Sequence, residues 1–312
     1  MRSAFLAGAL ACAAILAAPR AGAGFEPESV VRRVDRVALL ALVRAGDRLV
    51  AAGERGRILV SDDSGTTWKV AATPTHHTLT SLAFTDSRTG FATGHQGVLL
   101  RTEDGGTTWK QAAVEMTEKP ALFAVHMAGA KGIAVGAYGT YLETGDAGHT
   151  WKARRIGAPD FDRHLTGIAP AGPGRAVLAG EAGTLLATAD GGATWQELKS
   201  PYAGSFFGAI GLANGSVICY GMRGHAYRST DAGRSWRRID LGAYAGALQG
   251  ASELSDGSVV LTGADGMVAR STDGGNTFAP TVLPSRITVA ATARAASGRW
   301  LVAGPAGLRP AD

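Results

Sequence analysis

The chain has 312 residues, 46% of them apolar, with 44 glycines, two cysteines and a formal net charge of +5. That length can bury one large core or two ordinary ones. The charge is small and no Lys/Arg run exceeds two residues, which excludes a basic nucleic-acid binder, and Cys12 and Cys219 alone cannot make a disulfide framework.

Residues 1–23, MRSAFLAGALACAAILAAPRAGA, place one Arg before an Ala-dominated apolar run and end on a small-residue site. This is the layout of a secretory signal cleaved after Ala23, and the run is weakly hydrophobic for a permanent membrane span. The expected location is periplasmic or secreted. A membrane-anchored form requires an uncleaved signal or lipidation of Cys12. Cleavage removes Arg2 and Arg20 and no acid, leaving 29 basic against 26 acidic side chains. It also leaves Cys219 alone in the alternating run SVICYG, where a buried, inert thiol is expected.

Residues 24–312 form one repeat array. Ser/Thr-x-Asp-x-Gly-x-Ser/Thr-aromatic occurs as SDDSGTTW, TEDGGTTW, TGDAGHTW, TADGGATW, STDAGRSW and STDGGNTF. The closing aromatics are Trp68, Trp109, Trp151, Trp195, Trp236 and Phe278, spaced 41, 42, 44, 41 and 42 residues apart. One unit divides into LTSLAF, TGFATG, GVLLRT and TWKQA, four short β-type runs, here a to d, bounded by turn residues. Four strands per unit of about 42 residues is the blade of a β-propeller.

Gly-x-x-Gly recurs seven times between runs b and c, starting at Gly53, Gly94, Gly136, Gly180, Gly221, Gly263 and Gly304. The second Gly suits a left-handed hairpin position. The first is expected to let neighbouring blades crowd near the axis. Seven hairpins with six Asp motifs predict an all-β, seven-bladed propeller of four-stranded antiparallel blades. The chain stops within the third strand of its last blade, and FEPESVVRR at 25–33 is the expected fourth, with Phe25 near the slot the Trp fills elsewhere. The N-terminal strand thereby closes the ring and hides the open sheet edges.

Asp63, Asp104, Asp146, Asp190, Asp231 and Asp273 occupy the c–d hairpins. Each can accept backbone N–H groups as Asx turns do, which favours the anion and opposes use as a general acid. The Asp residues and their aromatics therefore read as fasteners.

This motif resembles the Asp-box, or bacterial neuraminidase repeat. With a signal segment and seven Gly-x-x-Gly units, the chain looks like the photosystem II stability/assembly factor family. That resemblance implies an exported, non-catalytic propeller that binds protein partners and serves a membrane protein complex. The alternative carried by the Asp-box is a sialidase-like glycoside hydrolase or a glycan-binding propeller. Hydrolysis would need an Arg triad and a Tyr/Glu nucleophile pair, for which Tyr138 and Glu181 are the nearest approximation.

The b–c hairpins and d–a connections share one face of a propeller. The expected partner-binding rim is Glu54, Arg55, His95, Gln96, Tyr138, Arg163, Glu181, Arg223 and Asp265, which vary within a fixed frame. The connections add His76, His77, His164, Tyr202, Phe206 and Tyr244. Phe123 and Phe207 begin inner strands and read as core. His76, His77, His95 and His164 have no metal-ligand spacing, so neither metal nor cofactor is expected. A monomer with a protein partner, or with a glycan, is the expected state.

Overall fold

The computed structural model describes residues 33–311, and the expected signal segment at 1–23 and all but the last residue of the expected closing strand at 25–33 lie outside them. Seven antiparallel sheets follow one another in chain order. The second matches its sequence runs closely: Leu79–Phe84, Gly90–Gly94, Leu99–Thr102 and Lys110–Gln111. The blades span 39–70, 79–111, 122–153, 165–197, 206–238, 248–282 and 291–310. The chain is a seven-bladed β-propeller of four-stranded antiparallel blades, to which blade 3 adds a fifth strand, and blade 7 has three described strands. No helix among the described residues is long and apolar enough to cross a membrane.

The core lies between blades, because a strand faces one neighbour with alternate side chains and the other neighbour with the rest. Each motif aromatic fills the seam with the preceding blade. Trp109 joins Val50 and Ile58 of blade 1 to Leu82 and Leu100 of blade 2, and meets Phe84 edge-on at 6.0 Å. Trp68 lies with Leu301 and Leu308 of blade 7, and Trp151 meets Phe91 of blade 2 at 6.2 Å. Trp195 meets Tyr141 of blade 3 at 5.9 Å. Trp236 and Phe278 pack at the two seams that follow. Trp68, Trp109 and Trp151 are buried, whereas Trp195, Trp236 and Phe278 are half-buried. The remaining seam, between blades 6 and 7, receives Trp300 from the second strand of blade 7.

The two glycines of each b–c loop have separate steric tasks. A Cβ on the first would sit 2.1 Å from Ala38 O at Gly53 and 2.1 Å from Ala121 O at Gly136. These oxygens precede strand a of the same blade, so the close approach is within a blade and not between neighbours near the axis. It follows from a β-bulge at the start of strand a, seen as a register shift between Leu39 and Ala41 and repeated in blades 2 to 6. The bulge turns Ala38 O toward the loop, where Glu54 N–H donates to it at 2.9 Å. The second glycine is left-handed and lies beneath the connection to the next blade. A Cβ at Gly56 would lie 2.0 Å from Thr75 O, and one at Gly183 2.2 Å from Tyr202 O. At Gly307 the covering segment is Val34–Asp35, with Asp35 C at 2.4 Å from such a Cβ. The chain thus enters blade 1 across blade 7 as each other connection crosses its own blade.

Two further elements join blades on the side of the Asp motifs. Ala113–Glu115 adds a parallel fifth strand to blade 3 beside Thr150–Ala153. Arginines reach from one blade into the next Asp hairpin: Arg48 to Gly105 O at 3.1 Å, Arg101 to Ala147 O at 3.2 Å, Arg154 to Gly192 O and Arg237 to Asn276 O at 2.6 Å.

Candidate partner-binding face

The state of the Asp motifs decides which face of the propeller has chemistry to offer. Asp104 accepts the Thr102 hydroxyl at 2.8 Å, the Thr108 N–H at 2.9 Å and the Thr108 hydroxyl at 2.6 Å. Thr102 Oγ1 in turn accepts Gly106 N–H at 3.0 Å. The same set recurs at Asp63, Asp146, Asp190, Asp231 and Asp273. Donors around the Asp190 carboxylate, led by the Thr194 hydroxyl, hold its pKa down to about 2. At Asp63, partial burial works the other way, yet the Thr67 and Ser61 donors outweigh it and the pKa again falls to about 2. These carboxylates are ionised and saturated with donors, so they lack the raised proton affinity a general acid requires. Trp68, Trp109 and Trp151 complete their hairpins by donating indole N–H to the carbonyl of the motif Gly. Cys219 is buried, and burial pushes its thiol far up, so it is no nucleophile.

The b–c loops occupy the other face. Their third residue is left-handed without being glycine: Arg55, Gln96, Tyr138, Ala182, Arg223 and Asp265 have φ between 50° and 58°. The Asp hairpins also carry one left-handed residue just after the Asp. There it is Ser64, Gly105, Ala147, Gly191, Ala232 and Gly274. The same backbone requirement is met by small residues on one face and mostly by large ones on the other. A left-handed residue with a Cβ costs about 1 kcal/mol over glycine, and the rim carries that cost to project Arg, Gln, Tyr, Arg and Asp side chains outward. Blade 7 departs from this, since Pro305 and Ala306 form a two-residue turn between Gly304 and Gly307.

Arg55, His95, Gln96, Tyr138, Arg163, Arg223 and Asp265 are exposed, and Glu54 and Glu181 are half-buried. Tyr138 is 72% exposed. Its N–H donates to His164 Nδ1 at 3.1 Å and its ring stands edge-on to His164 at 4.9 Å. Glu181 Oε1 accepts His164 N–H at 2.8 Å, so this carboxylate orients the connection. Arg163 O accepts Gly139 N–H at 2.9 Å while its guanidinium meets Thr184 Oγ1 at 3.3 Å. These contacts bring Tyr138, Arg163, His164 and Glu181 into one sector across blades 3 and 4. In blade 5, Tyr202 stacks on His225 at 4.1 Å, and His225 Nδ1 shares a hydrogen bond with Tyr227 Oη at 2.9 Å. Tyr244 is tied down, donating to Ala247 O at 2.9 Å, and burial pushes its pKa up to about 12.

Phe206 is fully buried, but Phe207 is 37% exposed, so Phe207 is not the core residue expected from its place at the start of an inner strand. Alternation explains the difference, since adjacent residues point to opposite sides of the strand. Met222 beside Arg223 is also exposed. Arg57 and Lys119 add cations to the same face and are exposed. Arg57 lies just outside the Gly-x-x-Gly frame and Lys119 in the connection between blades 2 and 3, so the loop pattern alone does not mark them. Among the described residues, no group of three or more His, Cys, Asp or Glu side chains is placed to hold a metal ion.

Comparison with known proteins places this architecture. Among solved structures, YCF48 from Cyanidioschyzon merolae is 17% identical with a TM-score of 0.67, covering 88% of this chain and 94% of that one. YCF48 bound to D1 peptide is 15% identical with a TM-score of 0.69, covering 91% and 94%. A streptogramin B lyase superposes with a TM-score of 0.75 at 11% identity, covering 88% and 93%. At these identities the structures attest to the fold alone. No curated protein sequence matches the chain. The family model of photosynthesis system II assembly factor YCF48 matches residues 60–167 and 158–307. Those two segments take in most of the chain and six of its seven Gly-x-x-Gly loops, and the chain belongs to the photosynthesis system II assembly factor YCF48 family.

Proposed function

We infer that this chain is an exported, non-catalytic binding propeller that takes a peptide segment of a membrane-complex subunit on its b–c face and thereby assists assembly of that complex. The observation that carries this reading is the contrast between the two left-handed series. Large side chains occupy strained loop tips only on the face away from the Asp hairpins, and strain retained at loop tips marks functional positions. The family match and the D1 peptide bound to a YCF48 of the same fold support a polypeptide partner. Exposed Tyr138, Phe207 and Met222 beside Arg55, Arg163 and Arg223 supply the aromatic and guanidinium anchors that dominate protein interfaces. Export follows from the signal-like residues 1–23.

The experiment is binding of a D1 peptide to the mature chain by fluorescence anisotropy. Tyr138→Ala and the double variant Arg55→Ala/Arg223→Ala are each expected to raise Kd about tenfold, in the range of interface hot spots. Binding that is absent, or equal in wild type and all variants, removes the reading.

A further inference from the structure

Tyr138, the most exposed large hydrophobic side chain on the rim, is held by an atom that can change its hydrogen-bonding role. Tyr138 N–H donates to His164 Nδ1 at 3.1 Å. An imidazole nitrogen accepts only while it carries no proton. That Nδ1 also lies 3.7 Å from Glu181 Oε1. The Glu181 carboxylate is fixed there by the His164 backbone N–H at 2.8 Å. Without a proton this nitrogen holds Tyr138. With one it can no longer accept, Tyr138 N–H confronts another donor, and the ring carries a positive charge 3.7 Å from the Glu181 carboxylate.

We propose that Tyr138, His164 and Glu181 make this sector of the rim a pH-responsive partner site, holding its ligand when His164 is neutral and loosening it when His164 is protonated. This rests on the reading of the rim as the partner-binding face. From blade 4 His164 faces the Glu181 carboxylate. From blade 3 it faces the Tyr138 ring and the Phe123 ring at 6.2 Å, neither charged near neutrality. On its own connection, Arg163 turns its guanidinium to Thr184 and Asp162 is exposed. At His225, which stacks on Tyr202 elsewhere on the rim, burial, Arg238 and Arg223 all favour the neutral form.

Nuclear magnetic resonance of the mature chain between pH 5 and pH 8, where imidazoles titrate, provides the test. The Tyr138 amide protection factor is expected to fall about fivefold from pH 8 to pH 5, the fold-change matching one net hydrogen bond. Its midpoint should coincide with that of the His164 ring protons. His164→Asn supplies an acceptor oxygen near the Nδ1 position and cannot titrate, so protection should persist at pH 5. Affinity for a D1 peptide should drop about fivefold at pH 5 in wild type and less than twofold in His164→Asn. The inference is overturned if the His164 ring protons respond to pH without a change at Tyr138, or if His164→Asn responds to acid as wild type does. A chain that binds no peptide even at pH 8 fails the rim reading instead, and the amide measurement separates the two cases.

Discussion

Asp104→Ala is the sharpest probe of the Asp hairpins. The substitution deletes the acceptor for the Thr102 hydroxyl, the Thr108 N–H and the Thr108 hydroxyl, at 2.8, 2.9 and 2.6 Å. Bonds to a charged group contribute about 1.5–3 kcal/mol each when shielded. This carboxylate is largely exposed, so water replaces part of what is lost and the sum must be discounted heavily. A net destabilisation of about 1–2 kcal/mol remains, similar to the loss of a helix N-cap. In a domain of this size that lowers Tm by about 2–6 °C. Thermal melts followed by circular dichroism, with peptide binding measured in parallel, are the assay. A carboxylate kept for reaction behaves differently, since removing it commonly relaxes a strained site and leaves stability equal or higher. An Asp104→Ala chain with unchanged or raised Tm, or one that folds well and loses peptide binding, refutes the fastening role.

The same hairpins make stability depend on acid. Their folded pKa values lie below the unfolded Asp value of about 4, reaching about 2 at Asp63 and Asp190, so their contribution is complete above pH 4 and disappears as pH falls through 2. Tm measured from pH 6 to pH 2 should drop mainly below pH 4, and a flat profile there contradicts the assignment. Gly56→Ala places a Cβ 2.0 Å from Thr75 O at a φ of 68°; a Tm loss of several degrees is expected, against a smaller loss for Gly129→Ala, whose Cβ meets nothing within 4 Å and which therefore bears only the left-handed strain of about 1 kcal/mol. Trp300→Ala opens the blade 6–blade 7 seam and should cost about 3 kcal/mol in urea unfolding; a loss below 1 kcal/mol would show that Trp300 does not carry the seam.

The blade count, strand order and faces were legible in the sequence because each depends on a local signal repeated at fixed spacing. Asp, Gly and Trp recur every 41 to 44 residues, and the hairpin they form needs no distant partner. What stayed hidden depends on the third dimension. The bulge in strand a leaves no composition signal, so the sequence alone does not reveal that the first loop glycine makes room for Ala38 O of its own blade. The parallel strand Ala113–Glu115 pairs across a blade boundary with Thr150–Ala153, and two- and four-residue outer strands carry too little periodicity to predict it. In the candidate site, the loop tips were identifiable as variable residues in a fixed frame. The bonds from Tyr138 to His164 and from His164 to Glu181 are not, since they join positions 26 and 17 residues apart, the first across two blades and the second across the bulged start of blade 4.

Hydrogen-exchange mass spectrometry of the mature chain, with and without a saturating D1 peptide, tests the division of labour between the two faces most directly. The account predicts slowed exchange at the b–c loops and their connections, centred on residues 54–56, 137–139, 161–164 and 222–224, with the Asp hairpins at 63–67 and 104–108 unchanged. Protection concentrated on the Asp hairpins, with the b–c loops unaffected, would contradict it.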